Sequence, residues 1–424
     1  MSNEKELQPA LRFTDFTGTW ENKKLGEVVE FFSGLTYSPS DVTDRNGTLV
    51  LRSSNVKNGQ LLFDDNVYVK SSVVNCNNVK TGDIAVVVRN GSRALIGKHA
   101  PVLKPLPNTV IGAFMTGIRT EQSSYINALL DTQRFSKEVE KNLGATINQI
   151  TTGTFKEMEF YFSALEQEKS QIGNFFQNIV QQLKLHQSKL DKLQQLKKAM
   201  LGKMFPKAGA KVPEVRFAGF NGDWEVTEFK DSFSYISNNS LSRAQLNDES
   251  GLAMNVHYGD ILLKFDEVLD VTESKIPYIS NRELVRGLMP NRLLDGDVVI
   301  TDAAEDSTVG KCTEIYNLGG QILFSGLHTI AVRPLASFAP KYLGYFLNSS
   351  LYHDQLLPIM QGTKVLSISK SSIKETLVYY PYDIAEQAKI GEYFRSLDGL
   401  ISLQRQHTHK LKNMKQAYLD KMFV

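Results

Sequence analysis

Cysteine is almost missing from this chain of 424 residues, which has only Cys76 and Cys312. Neither has another Cys or a His at ligand spacing, which argues against a disulfide framework and against a zinc site and leaves two small residues for burial. Long apolar runs are missing too. No stretch approaches 18 residues, and the first ten, MSNEKELQPA, carry neither a basic n-region nor an apolar h-region. The expectation is therefore a cytoplasmic protein without a membrane segment or signal. A strong charge of either sign is also absent, the formal net being +2. With 42% hydrophobic and 22% charged residues, the chain reads as an ordinary soluble protein of two to four domains with a sizeable core.

Proline is absent between Ile172 and Phe205, and the glycines there, Gly173 and Gly202, lie near the ends. Nothing inside this stretch breaks a helix. Ile172, Phe176, Ile179, Leu183, His186, Leu190 and Leu193 step by four and three in turn, the spacing of a coiled-coil seam with one polar position, His186. Pro206 ends it. At ~1.5 Å per residue the helix is about 50 Å long, too long for one small domain to bury alone.

The partner is in the same chain. Residues 390–423 align with 172–205 without a gap, and 12 of the 34 positions are identical, among them Ile172/Ile390, Gly173/Gly391, Phe176/Phe394, Lys197/Lys415 and Phe205/Phe423. Upstream, the lead segment PALRFTDFTGTWE from Pro9 matches PEVRFAGFNGDWE from Pro213. The chain is an internal duplication of lead segment, variable unit and helix. The lead segment repeats at an offset of 204 and the helix at 218, so the second variable unit holds 14 more residues.

Within the first unit, TLVLRSS from Thr48, LLFDDNVYV from Leu61 and GDIAVVVR from Gly82 read as short strands, and Tyr125 to Leu143 as a helix ending at Gly144. The second repeats the plan with strands GDILLKF from Gly259, DGDVVIT from Asp295 and HTIAVRP from His328. A helix follows from Tyr342 to Met360, breaking before Pro358. Gly97-Lys98 with Gly310-Lys311, Ile118-Arg119 with Val332-Arg333, and Gly144 with Gly362 recur in order. Each unit is a mixed α/β domain.

No catalytic centre is legible. The Gly-Lys pairs lack the preceding glycine and following Ser or Thr of a phosphate-binding loop. The glycine-rich turn Phe217 to Gly222 follows no strand, and its repeat copy has Asp15 where Gly219 stands. No Asn-Pro-Pro-aromatic, H-E-x-x-H, G-x-S-x-G or helicase-like motif occurs. His407 and His409 lie two apart on a helix and point to different faces. The carboxylates form no pair repeated in both halves. The chain is expected to be non-catalytic, with no cofactor and no metal of its own.

Three landmarks occur twice in the same order: the R-F-x-x-F-x-G-x-W-E motif at Arg12 and Arg216, the G-D-[IV] strand starts at Gly82 and Gly296, and the K-x-M-F helix endings at Lys203 and Lys421. With them the chain resembles, over nearly its whole length, the specificity subunit of type I restriction and modification systems. The resemblance implies an α/β (α+β) fold of two similar target-recognition domains separated by two long antiparallel coiled-coil helices, with a pseudo-twofold internal repeat. The expected boundaries are 1–162 and 207–382 for the recognition domains and 163–206 and 383–424 for the helices. It implies a bipartite target on double-stranded DNA, one half-site per domain. It also implies two methyltransferase (modification) subunits, which bind S-adenosylmethionine and methylate adenine, and endonuclease/translocase (restriction) subunits. A coiled-coil protein-binding scaffold without a DNA role is the rival reading.

Residues 12–160 carry 17 basic and 15 acidic side chains and 216–380 carry 14 and 20, or +2 and −6, while 166–205 and 384–424 carry +4 and +3. The second unit must concentrate its few cations where phosphates lie. Amide and guanidinium side chains suited to base edges mark the candidates for DNA contact. In the first unit these are Arg52, Ser54, Asn55, Arg89, Asn90, Arg93 and Lys98; in the second, Asn238, Asn239, Arg243, Lys264 and Lys364. Tyr37 and Tyr258 are read as core.

Overall fold

The structure is a computed structural model that describes residues 8–143 and 148–424. Gly144, the expected helix end, lies outside the described residues. The chain divides into two compact units, one of residues 1–187 with 406–424 and the other of residues 188–405.

Two long helices, Glu166–Lys203 and Ile384–Met422, contribute a segment to each unit. The expected seam is the covered face: Ile172, Phe176 and Leu190 are buried and Ile179, Leu183, His186 and Leu193 half-buried, while their neighbours are mostly exposed. The helix segments run antiparallel within each unit. In the first, Phe175 meets Tyr418 (ring centroids 5.1 Å apart) and His186 meets His407 (5.7 Å). In the second, Phe205 stacks on Phe394 (6.1 Å), and Lys197 bonds Asp398 (2.6 Å).

The first unit pairs Glu21–Lys24, the strand that follows the lead segment, with Glu159–Phe162. It holds an antiparallel sheet in the order Glu30–Ser33, Met115–Arg119, Ile84–Val87, His99–Pro101, and a mixed sheet in the order Thr109–Ile111, Thr48–Leu51, Val67–Val69, Val42–Thr43. The second unit repeats the first of these pairings with Glu225–Glu228 against Leu377–Tyr380. Its larger sheet runs Phe233–Ile236, Thr329–Pro334, Val298–Thr301, Cys312–Tyr316, Val268–Asp270; a smaller one runs Tyr278–Ile279, Ala253–Val256, Leu323–Ser325.

The repeated sequence landmarks turn out to be each other's partners. Arg12 forks onto Glu168 (2.6 and 2.8 Å) and caps the carbonyls of Thr17 and Gly18; Arg216 does the same with Glu386 (2.7 and 2.8 Å) and with Asn221 and Gly222. Asp83 and Asp297, of the two G-D strand starts, take the forks of Arg119 and Arg333 (2.7 and 2.8 Å in each). The K-x-M-F endings place Phe423 against Trp20 and Tyr125 (6.2 and 5.3 Å), and Phe205 against Trp224 and Tyr342 (6.1 and 6.0 Å). Gly173 is glycine because a Cβ there would lie 2.7 Å from the Tyr125 amide nitrogen; at Gly391 it would lie 3.0 Å from the Pro340 carbonyl oxygen. In both units that close approach seats a helix of the variable unit on the long helix.

Four local expectations need correction. GDILLKF is helical over Tyr258–Leu263, not a strand, because His257 caps it, its Nδ1 accepting from the Gly259 N–H (3.2 Å), and Asp260 favours the first turn. The helix expected over Tyr125 to Leu143 is two, Ser123–Leu130 and Gln133–Asn142, divided where the Thr132 hydroxyl caps the Phe135 N–H (3.1 Å). That expected from Tyr342 to Met360 breaks earlier than Pro358, into Tyr342–Leu347 and Ser350–Leu356. LLFDDNVYV keeps strand only at Gln60–Leu61 and Val67–Val69. Cys312 is buried and Cys76 half-buried, and both are free thiols.

Arg216→Ala leaves Glu386, 1% exposed, without its cation. The expected loss is about 3–5 kcal/mol, read as a fall of several degrees in the melting temperature, with Glu225 to Tyr380 pairing weakened first in hydrogen exchange. A second test is pH. The Glu314 carboxyl is pushed up to about 7 by burial, which the N–H groups of Gly344 and Lys341 oppose. Because its folded value is the higher, the stability it contributes is full below the unfolded value of 4.5 and is lost as pH rises through about 7. Urea denaturation at pH 5 and pH 8 should show a difference from this group of up to about 3 kcal/mol, absent in Glu314→Gln.

Candidate nucleic-acid interface

In the first unit the strand Ile84–Val87 runs out into Val88 and the loop from Arg89 to Arg93. The Val88 and Arg89 N–H groups donate to the Phe114 carbonyl (3.0 and 3.2 Å), which fixes the turn at Ala113 and Phe114 beside the loop. Phe114 is 51% exposed, and the Arg89 guanidinium rides over its ring at 4.9 Å. The Asn90 side-chain amide donates to the Ser53 hydroxyl (2.9 Å), and its Oδ1 accepts from the Ser92 N–H (2.9 Å). The Asn148 amide bonds the Gly91 carbonyl (2.9 Å). Three segments distant in sequence thus hold Arg89, Asn90 and Phe114 at one exposed end of the unit.

Not all first-unit candidates lie there. Asn55 is fully buried; its side chain accepts from the Arg52 N–H (2.9 Å) and donates to the Leu62 carbonyl (2.9 Å), so it closes a turn and leaves the candidate set. Arg52 pairs with Asp65 (2.7 Å), and Ser54 is half-buried beside it. Arg93 and Lys98 line a cavity of about 1140 Å³ with His99, Asp131, Lys184 and Lys415. Burial works against charge on Asp131, but His99 and Lys415 (2.6 Å) outweigh it and hold its carboxyl down at about 2.

The second unit builds the same turn from other side chains. The Asp302 N–H donates to the His328 carbonyl (3.2 Å), and His328, half exposed, has φ +54°. Its Nδ1 lies 3.3 Å from the Asp302 carboxylate, and its ring 5.2 Å from Tyr258, whose ring in turn lies tilted against His257 at 4.6 Å. Burial pushes the His257 ring below its ordinary value, in keeping with a neutral ring that accepts the cap bond. Tyr258 is half-buried at this turn rather than in the core, whereas half-buried Tyr37 packs on Leu35, Val50 and Val110.

Asn238 bonds the Gly326 carbonyl (3.3 Å) and Asn239 the Asn255 side chain (2.7 Å), both bracing the turn. Arg243 and Lys264 converge on buried Asp260 (2.7 and 2.8 Å). Lys364 is exposed. Reasoning from sequence missed Phe114, His328 and Asp302. The signal is a glycine two residues before each tip, Gly112 and Gly326, at an offset of 214 that neither the lead-segment repeat nor the helix repeat shares.

A protein-family model described as the type I restriction modification DNA specificity domain matches residues 17–195. Over that span the chain is similar to type I DNA specificity domains. The second unit, almost wholly beyond that span, repeats the ion pairs and strand pairings of the first. Two solved structures share the fold. One is the S subunit of a type I restriction-modification system from M. genitalium, 14% identical, with 99% of each chain covered and a TM-score of 0.62. The other comes from a study of complex assembly and conformational transition of the type I R-M system, 16% identical, with 95% of this chain and 97% of that one covered and a TM-score of 0.51. Among the described residues no helix is long and apolar enough to cross a membrane, and no group of three or more His, Cys, Asp or Glu is placed to hold a metal.

Arg243→Ala should act on stability rather than on recognition. Asp260 keeps Lys264 but loses its closest cation, which is expected to cost about 1–2 kcal/mol. In an assembled complex the preference among DNA sequences should not change; a changed preference would put Arg243 back among the base contacts.

Proposed function

We propose that the chain is the DNA sequence-specificity subunit of a type I restriction-modification complex and is itself non-catalytic. The observation that carries the reading is the duplicated specificity unit, each copy closed by segments of the same two long helices and each presenting a differently furnished exposed turn. Two recognition units of unlike surface fit a bipartite double-stranded DNA target with two different half-sites. The helices, with their excess of positive charge, fit a platform for two methyltransferase subunits, which bring S-adenosylmethionine and adenine methylation, and for endonuclease/translocase subunits. The recognition units proposed are 1–162 and 207–382, with the helix regions 163–206 and 383–424 following each in sequence. The rival, a coiled-coil scaffold without a DNA role, finds no support in the specificity-domain match. A cytoplasmic location goes with chromosomal DNA as the target.

For readout we retain Arg52, Ser54, Arg89, Asn90, Arg93 and Lys98 in the first unit and Asn238, Lys264 and Lys364 in the second. Asn239 and Arg243 brace their surroundings.

The test is single-molecule sequencing of host DNA with and without the gene, read for methylated adenine in a two-part motif. Replacing residues 22–143 with the matching unit of a relative should change one half-site and leave the other intact, because sites without shared partners act independently. A map with no motif attributable to the gene overturns the reading; one in which both half-sites change overturns the independence of the units.

A further inference from the structure

Three backbone bonds around the exposed turns recur in both units. Leu35 N–H to Ile111 O (2.7 Å) answers to Asn239 to Ser325 (2.9 Å), Gly112 to Leu51 (2.8 Å) to Gly326 to Val256 (2.9 Å), and Val88 to Phe114 (3.0 Å) to Asp302 to His328 (3.2 Å). This makes Phe114 and His328 equivalent, and likewise Val88 and Asp302. The segment Arg89-Asn90-Gly91-Ser92-Arg93 then answers to Ala303-Ala304-Glu305-Asp306-Ser307, which turns two positive charges into two negative ones.

Polar positions of the ion pairs that close on a buried carboxylate behave differently. Asp83 and Asp297, Arg119 and Arg333, Arg12 and Arg216 keep both chemistry and partner. The turn keeps its scaffold while its exposed chemistry is exchanged. Packing does not account for a phenylalanine left 51% in solvent, nor for a histidine at φ +54°, a left-handed conformation that disfavours a non-glycine residue.

Resting on the specificity-subunit reading, we infer that the turn tipped by Phe114 in the first unit and by His328 in the second is the base-reading element of each, and that the two are chemically inverted. In the first, Arg89, steadied on the Phe114 ring, and Asn90 present N–H donors, the match for the acceptor edge of a purine. In the second, the Asp302 carboxylate, with His328 beside it and Tyr258 behind the ring, presents an acceptor, the match for the amino group of cytosine or adenine. Glu305 and Asp306 repel phosphate, so this turn has to enter a groove rather than follow the backbone. The phosphate grip of the second unit falls to cations elsewhere. Arg282 and Arg286 stand exposed on the helix Arg282–Leu288, and no salt bridge engages them among the described residues.

The experiment is equilibrium binding of the purified complex, assembled with its methyltransferase subunits, to the target duplex and to a panel of single-base variants. If the wild-type complex does not prefer its target, the specificity-subunit reading itself fails. Given that preference, Arg89→Ala and Phe114→Ala should relax discrimination at one or two positions of one half-site by about 5- to 150-fold, and Asp302→Asn and His328→Ala at positions of the other. Arg89→Lys, which keeps the charge and loses the forked donor, should relax discrimination while affinity for unrelated DNA holds. Co-elution with the partner subunits reports folding separately, and these side chains are all partly exposed. Unchanged discrimination in every assembled variant, or a uniform weakening across the whole panel, overturns the inference.

Discussion

The structure of each unit depends on a carboxylate that has no water. Glu168 and Glu386 stand in the first turns of the long helices and are 0% and 1% exposed. The helix N-terminus favours negative charge there, but a carboxylate taken out of water costs several kcal/mol unless a cation meets it in good geometry. One arginine meets each, 156 residues away in the first unit and 170 in the second. That arginine lies in the lead segment, whose backbone also reaches the last turn of the other long helix: the Leu11 N–H bonds the Lys421 carbonyl (2.8 Å), and Val215 bonds Lys203 (2.9 Å). A short lead segment therefore fixes both helix ends of its unit. The aromatic cluster around Phe423 or Phe205 forms only where those ends meet.

This explains which parts were legible in the sequence. The seam was readable because seven positions at spacing four and three have one explanation, and burial follows it down to half-buried His186. The landmarks were readable because a buried ion pair resists change at one partner alone, so both survive duplication. What they do to each other was not readable. Nothing in Gly82-Asp83 or Ile118-Arg119 announces that the aspartate and the arginine meet across a sheet. Local errors fell where a single polar side chain overrules an apolar pattern, as at His257 and Thr132. GDILLKF and GDIAVVVR share a G-D-I opening, yet only the first follows a capping residue that closes a helical turn.

The candidate site was legible in part. Loop residues with donors could be named, but exposure and pairing could not, and these divide them. Asn55 and Arg243 have the side chains of base contacts and are occupied by their neighbours. Phe114 and His328, which were not among the candidates, stand in solvent. The balance of −6 over 216–380 is sharper in three dimensions, because Arg243 and Lys264 go to Asp260 and Arg333 to Asp297. Little positive charge remains at the turn of the second unit.

The repeated lysine four residues past the last apolar seam position Leu193, Lys197, with its copy Lys415, shows how the duplicated frame tolerates divergence. In the second unit Lys197 lies between Glu267 and Asp398 (2.6 Å each); burial disfavours its charge, but the two carboxylates hold the ammonium above its usual range. In the first unit Lys415 has Asp131 instead (2.6 Å), and Val180 occupies the position corresponding to Asp398. An apolar side chain at that position would pack at least as well, since a buried ion pair adds little net stability. It would not oppose sliding. A one-heptad slip of the seam carries a half-buried ammonium away from its carboxylates and leaves the charges unpaired, a penalty that leucine does not impose. The lysine therefore acts on register, which is what a unit needs when its core is closed by two helix ends that must arrive at the same place.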